Sequence, residues 1–583
     1  MDESPRRRWL AFPRVLWLSL AAALVLALPT VGLGFFNDDY YHLLVLEEGP
    51  VVPGSRFDLF RFASGDADET TYLMTQGPYP WWTLPELKLA FWRPLSSALT
   101  ALDHRLFERA AVGWHLHSLL WYLGTVAVVG GLLRRLLPGA VGALALLLFA
   151  LDGAHFLVVA WLANRNALVA ALPALLGLWM HLEWREHQRP GALPLSILGF
   201  AVGLMGGEGA LGVMAYVGAY ELWGNPEGRR ERLAALAPLG LLAGTYLGLY
   251  KLYGYGAYGS GSYMDPLGEP GRYLLGVLAR VPVLVGGLVL ELPSDVWALD
   301  ARTRGWLVGL GVLTLGLFGW LWRATWPQLT EEERRHCRWL LPGAALALLP
   351  VAATFPSQRL LLVPGVGGLV AVAAILVTAW RSRERGWRPR GVAVGAGLVA
   401  LAHLVVAPLW WPLMTWSFQE MDRQVARSVE SVEGAVDGEK LPEQRVVTLA
   451  CPLPTLTMYL PSVLAARGMP MPRAWWPLSM SPLPQQLTRT GEAAFELSLS
   501  EGRFLTSEFE AIFRGPGHPL VQGATVELAG MKVTVLEADE EGPRRLGFEL
   551  DAPLEDPSWV FLSWKDEALR PFTFPPVGQR VSL

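Results

Sequence analysis

The sequence predicts an α-helical polytopic membrane protein with a β-rich domain at its carboxyl end. Three observations lead to this fold class. The 583-residue chain is 52% hydrophobic and only 17% charged, which is too apolar for an ordinary soluble protein. It contains many apolar runs of the length that crosses a hydrocarbon layer of about 30 Å. Residues 445–583 instead alternate apolar and polar side chains over short stretches, as strands do.

The apolar runs begin at residues 15–36, a stretch without any charged side chain. This run is longer than the apolar part of a signal peptide and ends without a small-x-small cleavage site, so we expect a retained membrane anchor. Ten more charge-poor runs bring the predicted number of spans to about eleven. They lie at residues 111–133, 136–151, 166–182, 191–207, 209–220, 233–250, 305–322, 339–358, 360–380 and 391–411.

Clusters of arginine in the short connections indicate how the spans alternate. With eleven spans, all of these clusters fall on one side of the membrane, which the positive-inside rule assigns to the cytoplasm. The amino-terminal segment 1–14 is then cytoplasmic and the carboxyl terminus lies outside. The clusters are Arg6 to Arg8, Arg134 with Arg135, Arg185 with Arg189, Arg229 and Arg230 with Arg232, Arg334 and Arg335 with Arg338, and five arginines from Arg381 to Arg390.

A further apolar stretch, residues 273–292, is left out of the eleven. Counting it as a span would move the last two arginine clusters to the outer side, so we expect a helix that lies on the outer surface or re-enters the membrane. It belongs to an outer loop at 254–304. The glycine- and tyrosine-rich first part of that loop, Gly254 to Arg272, suits either a lid over a site or a plain connector.

The chain divides into a membrane domain and an outer domain. The membrane domain covers residues 15–418 and has outer loops at 37–110 and 254–304. A polar linker at 419–444 leads to the β-rich extracytoplasmic domain at 445–583. In that domain the alternation predicts a hairpin from residues 525–528 and 532–536 and further strands at 546–550 and 559–564.

Charge and cysteine content exclude two classes of protein. A net charge of -4 over 583 residues indicates no nucleic-acid partner. Two cysteines cannot form a disulfide framework. Cys337 falls in a predicted cytoplasmic loop and Cys451 in the outer domain, so we expect no pairing between them within one chain.

Two adjacent carboxylates, Asp38 and Asp39, follow directly on the first apolar run. They are expected at the membrane surface among aromatic side chains, where a carboxylate can act as a base or an ion ligand for a substrate that arrives from the lipid. The alternative is that the pair only fixes the end of the first span.

Five short motifs in the same order along the chain resemble those of a known enzyme family. They are Phe91-Trp92-Arg93-Pro94-Leu95, Trp114-His115-Leu116, the stretch from Leu148-Phe149-Ala150 to Trp161-Leu162-Ala163-Asn164-Arg165, Gly207-Glu208-Gly209-Ala210, and Ser357-Gln358-Arg359-Leu360-Leu361-Leu362-Val363-Pro364. With the acidic pair and the predicted topology, residues 15–411 resemble the GT-C membrane glycosyltransferases. The resemblance is strongest to the protein O-mannosyltransferase and TMTC-type branch.

This resemblance implies an enzyme that takes a sugar from a polyprenyl-phosphate and passes it to a hydroxyl of a protein, lipid or glycan on the outer face, with inversion. Asp38 matches the family's base, and Asp39 is expected to orient Asp38 or the acceptor. A carboxylate near water but packed against aromatics suits the acceptance of a proton. No organic cofactor is implied, and a divalent metal ion stays open.

The expected substrate-binding side chains are two histidines, three arginines and a glutamate. Guanidinium groups stabilise the charge that develops on a phosphate leaving group, although each arginine could instead sit at the level of the lipid headgroups. The glutamate, between two apolar runs, is also expected to pair with one of the arginines. The histidines show no spacing that defines a metal site. The residues are His42, Arg93, His115, Arg165, Glu208 and Arg359.

Three positions depart from the family's pattern and keep other functions open. Gly207 stands where the family has lysine, Leu157 where it has an acidic residue, and Ser118 where it has asparagine; Asp152 is the carboxylate nearest to Leu157. A non-catalytic scaffold with the same fold is one alternative. A transporter or flippase is the other, although the sequence shows no internal repeat.

Overall fold

The computed structural model describes residues 12–47, 54–299, 301–384, 390–434 and 436–583. The first cluster, Arg6 to Arg8, lies outside these ranges, and so do Arg385 and Arg388 of the last cluster. The predicted fold class is confirmed: the described chain is mostly helical up to residue 433, and a β-sheet domain follows.

Seventeen α-helices precede the β-domain in the described part of the chain. They are α1 Phe12–Ala27, α2 Asp38–Leu46, α3 Ala67–Gln76, α4 Pro94–Phe107, α5 Ala111–Leu136, α6 Ala140–Leu151, α7 Phe156–Ala160, α8 Asn166–His187, α9 Ala192–Gly206, α10 Gly209–Ala219, α11 Arg229–Leu252, α12 Pro270–Leu290, α13 Ala301–Thr325, α14 Glu331–Val351, α15 Leu362–Glu384, α16 Arg390–Leu401 and α17 Ala407–Glu433.

Within the described ranges, eight helical segments are long and apolar enough to cross a membrane, and α6 with residues 153–160 gives a ninth that is bent by 44°. The chain is therefore an integral multi-pass membrane protein. The number of eleven stays a prediction, because α9 is shorter than a span at 15 residues and α14 begins with three glutamates. The five-residue π-helix Ala402–Val406 joins α16 and α17 into one long helix.

The helix α15 lies at the centre of the bundle and is almost entirely covered by other helices. Its glycines allow this close packing. A methyl group on Gly367 would lie 2.2 Å from the carbonyl oxygen of Leu340 in α14, and one on Gly368 would lie 2.5 Å from Leu288 in α12. Helices that are as apolar as lipid associate through close packing, and small residues allow their backbones to approach.

The stretch predicted to lie on the surface or to re-enter forms α12, and the chain doubles back after it. Ser294 Oγ donates to the carbonyl of Val283, 3.5 Å away, so residues 292–294 return along the last turns of α12. Near the start of α12, Arg272 donates to the carbonyl of Gly261, whose N–H donates to Ala511 of the β-domain. Near the start of α13, Arg304 pairs with Glu508 of the same domain. Both helices therefore begin on the side of the β-domain, which fits a re-entrant α12.

Two of the predicted outer loops meet in a small antiparallel sheet of order β1-β2-β3. Its strands are β1 Arg61–Ser64, β2 Lys88–Ala90 and β3 Gly256–Tyr258. The glycine- and tyrosine-rich stretch is thus in part a strand, paired through Leu89 and Ala257. This sheet lies next to the ends of α2 and α11 and helps to form the cleft described below.

The carboxyl-terminal domain contains two sheets. A four-stranded sheet of order β12-β11-β4-β5 has β4 parallel to both of its neighbours, and a six-stranded antiparallel sheet has the order β13-β6-β7-β10-β9-β8. The predicted hairpin is β8 and β9. The elements are β4 Arg445–Thr448, α18 Pro454–Met458, α19 Leu460–Ala466, β5 Ala474–Pro477, β6 Gln485–Arg489, β7 Ala494–Leu499, α20 Glu508–Phe513, β8 Thr525–Leu528, β9 Met531–Asp539, β10 Gly542–Leu550, β11 Trp559–Lys565, β12 Ala568–Pro571 and β13 Arg580–Ser582.

The first outer loop is built into the core of the carboxyl-terminal domain. Trp81 and Trp82 are fully buried, and their indole N–H groups donate to the carbonyls of Leu478 and Glu510 at 3.1 and 3.2 Å. Buried indoles with satisfied N–H groups combine a large apolar area with a directional contact. The β-domain is therefore held against the membrane domain by a shared apolar core.

Candidate active site

The acidic pair opens α2, and its two carboxylates have different surroundings. Asp39 is 3% exposed and accepts hydrogen bonds from the backbone N–H groups of Phe36, at 2.9 Å, and Ala163, at 2.6 Å. Burial raises the pKa of Asp39 to about 8, although both hydrogen bonds oppose this rise. Asp39 therefore ties the start of α2 to the segment before α8, and it lines neither of the cavities described next.

Asp38 is half-buried and faces a cleft. Its Oδ1 accepts a hydrogen bond from the phenol of Tyr459, which belongs to the carboxyl-terminal domain. Burial raises the pKa of the Asp38 carboxyl, while the Tyr459 hydrogen bond and the positive charges of Arg359 and Arg93 oppose that rise. A carboxylate with a raised pKa accepts a proton more readily near neutral pH.

The cleft consists of two cavities that meet at Asp38. The larger has a volume of 470 Å³ and extends between α10, α11, α14 and α15, and the smaller has 170 Å³ and lies against the carboxyl-terminal domain. Both cavities are lined by Asp38, Arg359 and four aromatic side chains, Phe62, Phe91, Trp161 and Tyr263. A group bound in one cavity can therefore reach a group bound in the other at these six side chains.

Arg359 lies in a short 3-10 turn, Gln358–Leu361, immediately before α15. Its guanidinium stands 4.9 Å from the centre of the Trp161 ring and 5.7 Å from that of Phe355, and its Nη1 donates to Asn164 Oδ1 at 3.4 Å. Among the described residues it forms no ion pair. Most of the donors of this guanidinium are thus left for a ligand in the cleft.

Arg93 and Glu208, both expected at the site, lie together in the larger cavity. Arg93 Nε is 2.9 Å from Glu208 Oε2, and the Tyr250 hydroxyl donates to Glu208 at 3.3 Å. The predicted pairing of Glu208 with an arginine is thus present. A methyl group on Gly207 would lie 3.6 Å from Arg93 Nε, so a lysine at this position would bring a second cation beside the ion pair.

The other three expected residues lie outside the walls of both cavities. Arg165, 2% exposed, forms an ion pair with Asp103, which also holds His117 at 2.6 Å. His115 contacts the carbonyl of Gly34 at 3.3 Å. His42 is packed against the rings of Phe60 and Phe62, and its pKa falls to about 3 because it is buried. The described contacts of these three side chains are thus with the surrounding protein and not with either cavity.

Several cleft residues were not identified from the sequence. Tyr459 follows Asp38 by 421 positions and belongs to no motif, so no sequence pattern joins the two. Lys251 and Asp265 form an ion pair in the larger cavity, and Tyr263 lines both cavities. Their only sequence signal is their place in the predicted lid or beside it.

A metal ion is not assigned to the cleft. Among the described residues, no three His, Cys, Asp or Glu side chains converge in a way that could hold one. Of the carboxylates that line the cavities, Glu208 and Asp265 are already paired with Arg93 and Lys251. The residues present therefore do not fit a bound cation, and no chemical step is derived through one. Asp152, the carboxylate near Leu157, lines neither cavity.

No protein-family model matches the chain, and no curated protein does. Several solved structures are similar to it in fold. An oligosaccharyltransferase from Archaeoglobus fulgidus, tethered with an acceptor peptide, aligns over 81% of this chain with 13% identity and a TM-score of 0.41; the alignment spans 64% of the oligosaccharyltransferase. ArnT from Cupriavidus metallidurans, bound to undecaprenyl phosphate, aligns over 91% of this chain and 97% of its own, with 14% identity and a TM-score of 0.37. The arabinofuranosyltransferase AftD from Mycobacteria aligns over 94% of this chain and 40% of its own, with 13% identity and a TM-score of 0.35.

Proposed function

We propose that this chain is a membrane glycosyltransferase that moves a sugar from a polyprenyl-phosphate donor to an acceptor hydroxyl with inversion. One observation carries the proposal. Among the charged side chains that line the two cavities, Arg93 is paired with Glu208 and Lys251 with Asp265, whereas Asp38 and Arg359 form no ion pair within the described chain. One acid and one cation are thus left for chemistry where the cavities meet.

Arg359 is the side chain that best suits the phosphate of the donor. A guanidinium binds phosphate oxygens through two parallel N–H groups and stabilises negative charge that grows as the leaving group departs. The aromatic rings of Trp161 and Phe355 hold its plane. Because the larger cavity is bounded by the apolar ends of α10, α11, α14 and α15, it suits the first isoprene units of a lipid that enters between helices.

Asp38 then acts as the general base. Its carboxylate accepts the proton of the acceptor hydroxyl while that oxygen bonds to the anomeric carbon of the sugar. The bond from this carbon to the phosphate oxygen breaks in the same step, and its electron pair stays on the phosphate beside Arg359. Attack from the face opposite the leaving group inverts the anomeric centre. The proton passes from Asp38 to water after the product leaves.

The smaller cavity supports a place for the acceptor. It opens towards the carboxyl-terminal domain and shares Asp38 with the larger cavity. Eleven of its lining residues are aromatic, including Tyr79, Trp475 and Phe513, which provide flat surfaces for a bound ring or chain. A non-catalytic scaffold, one of the alternatives from the sequence, leaves the unpaired Asp38 and Arg359 without a role.

The test is transfer of radiolabelled sugar from polyprenyl-phosphate donors in membranes that contain the Asp38→Asn variant. We expect the rate to fall on the order of 10²- to 10⁴-fold, the usual contribution of a general base. Asp58→Asn is the matched control, because Asp58 is a half-buried carboxylate that is paired with Arg61 and lines neither cavity. Wild-type transfer by Asp38→Asn, at equal protein level, would remove Asp38 from the mechanism and the proposal with it.

A further inference from the structure

A short segment of the carboxyl-terminal domain contacts the proposed general base directly. Tyr459 stands between α18 and α19, and its phenol donates a hydrogen bond to Asp38 Oδ1. Four residues earlier, Thr455 Oγ1 donates to the side-chain oxygen of Asn37. Two consecutive residues of the acidic turn, Asn37 and Asp38, are thus each held by a side chain from the other domain.

The acidic turn needs such support, because its backbone is unusual. Asn37 has a φ of 45°, in the left-handed region that side chains other than glycine adopt with strain. Asn37 is 7% exposed, so its side chain cannot obtain its hydrogen bonds freely from water. The contact from Thr455 satisfies its oxygen and fixes the turn from which the Asp38 side chain projects.

The segment that carries Tyr459 is itself well anchored. The backbone N–H of Tyr459 donates to the carbonyl of Thr455 at 3.0 Å, and the carbonyl of Tyr459 accepts from the N–H of Val463 at 2.9 Å. The Trp475 indole in β5 donates to the carbonyl of Thr457 at 3.1 Å. Around it, Leu456 and Leu460 are fully buried in a core that includes β4 and α17. The phenol is therefore presented by a fixed structure.

From this geometry we infer that Tyr459 is a positioning residue for Asp38, and that the carboxyl-terminal domain thereby completes the catalytic site. The inference rests on the proposed function. The phenol occupies Oδ1 and leaves Oδ2 to accept the proton from the acceptor. Within the described chain, Tyr459 is the side chain that hydrogen-bonds this carboxylate.

The hydrogen bond has a second effect, on the proton affinity of Asp38. A donor to the carboxylate favours its charged form and opposes the rise in pKa that burial causes. Without the phenol, the pKa of Asp38 rises further, and the base is protonated up to a higher pH. As the pH is lowered, the rate without the phenol must then begin to fall at a higher pH than the wild-type rate does.

Tyr459→Phe tests the inference, with Tyr122→Phe as the matched control. Tyr122 is a buried tyrosine of α5 that lines neither cavity, and its hydroxyl donates to the backbone carbonyl of Ala150 at 3.3 Å. For Tyr459→Phe we expect kcat to fall about tenfold, which corresponds to the loss of about 1.4 kcal/mol. KM for the donor is expected to stay within about twofold, and the acid limb of the kcat profile to move to higher pH. Tyr122→Phe is expected to change none of these.

The outcomes separate this inference from the proposed function. If Asp38→Asn is inactive while Tyr459→Phe keeps the wild-type kcat and pH profile, Tyr459 serves only in packing and the inference is overturned. If Asp38→Asn transfers sugar like the wild type, the proposed function fails whatever Tyr459→Phe does. Should Tyr459→Phe not fold, ortho-fluorotyrosine at position 459 keeps the shape and strengthens the donor. It is expected to move the acid limb to lower pH, and an unchanged limb would contradict the inference.

Discussion

At the residue scale, the contacts of Asp38 and Asp39 distinguish two carboxylates that are adjacent in the sequence. Asp39 accepts two backbone N–H groups and is buried, so its carboxylate maintains the local structure. Asp38 accepts one phenol and lines the cleft. Adjacent residues at the start of a helix point about 100° apart, which is why one can face the scaffold and the other a cavity.

We therefore expect Asp39→Ala to act on stability. The variant leaves the N–H groups of Phe36 and Ala163 without an acceptor, and each unsatisfied buried group costs about 1–3 kcal/mol. The measurement is the thermal unfolding midpoint of the detergent-solubilised protein. Asp38→Asn in the same assay is expected to unfold close to the wild-type temperature. Equal losses in the two variants would contradict the assignment of separate roles.

At the element scale, α12 is where the helical pattern and the charge pattern disagree. Its length and composition suit a membrane span, whereas the arginine clusters require that it not be counted as one. The hydrogen bond from Ser294 to the carbonyl of Val283 shows that the chain returns along α12. A re-entrant helix agrees with both patterns, because the chain enters and leaves it on the same side of the membrane. Apolar composition alone does not distinguish a span from a re-entrant helix.

Cysteine labelling on intact vesicles tests this arrangement. Leu267, before α12, and Leu299, after it, are exposed, and we expect Leu267→Cys and Leu299→Cys to react from the same side. The background is the Cys337→Ser and Cys451→Ser protein, because both native cysteines are free thiols. Labelling of the two positions from opposite sides would make α12 a full span.

Two further positions serve as references for the two sides of the membrane. Glu433, at the end of α17, is exposed and leads into the carboxyl-terminal domain, and Gln188, after α8, is exposed at a predicted cytoplasmic turn. We expect Glu433→Cys to label with Leu267→Cys, and Gln188→Cys to label from the opposite side. Labelling of all four from one side would contradict the predicted alternation of the spans.

At the scale of the whole molecule, the two domains share a core and a site. Gly77, at the end of α3, has a φ of 106°, and a methyl group there would lie 1.9 Å from the carbonyl oxygen of Trp475 in β5. The backbone of the first outer loop thus passes directly over the backbone of the carboxyl-terminal domain. The positive φ of Gly77 and the lack of space for a side chain both require glycine at this contact.

Gly77→Ala is expected to loosen the contact between the domains. The clash involves backbone on both sides, so we expect a loss of more than about 1 kcal/mol in stability and faster proteolysis between α17 and β4. Gly254→Ala is the control, since Gly254 also has a positive φ, 77°, but no atom within 4 Å of an added methyl. If both variants are cleaved at the wild-type rate, the contact at Gly77 does not hold the domains together.

The sequence by itself determined the membrane class, the β-rich end of the chain and most of the charged groups of the cleft. Long apolar runs, period-two alternation and the spacing of arginines are local patterns, and each follows from the solvent that a segment meets. The place of Asp38 after the first apolar run, and short motifs that resemble the GT-C family and contain Arg93, Glu208 and Arg359, brought these four residues into consideration. The sequence could not tell which of the expected residues line the cleft, because that depends on contacts with distant segments.

Only the tertiary structure decided how these groups are paired. It joined Arg93 to Glu208 and Arg165 to Asp103, and it left Arg359 without an ion pair among the described residues. It also brought Tyr459 to Asp38 across 421 positions of sequence. A side chain is free or engaged according to the neighbours that packing gives it, and packing joins residues with no relation along the chain. The order of amino acids therefore predicts which chemical groups are available, and the fold determines which of them remain available to a substrate.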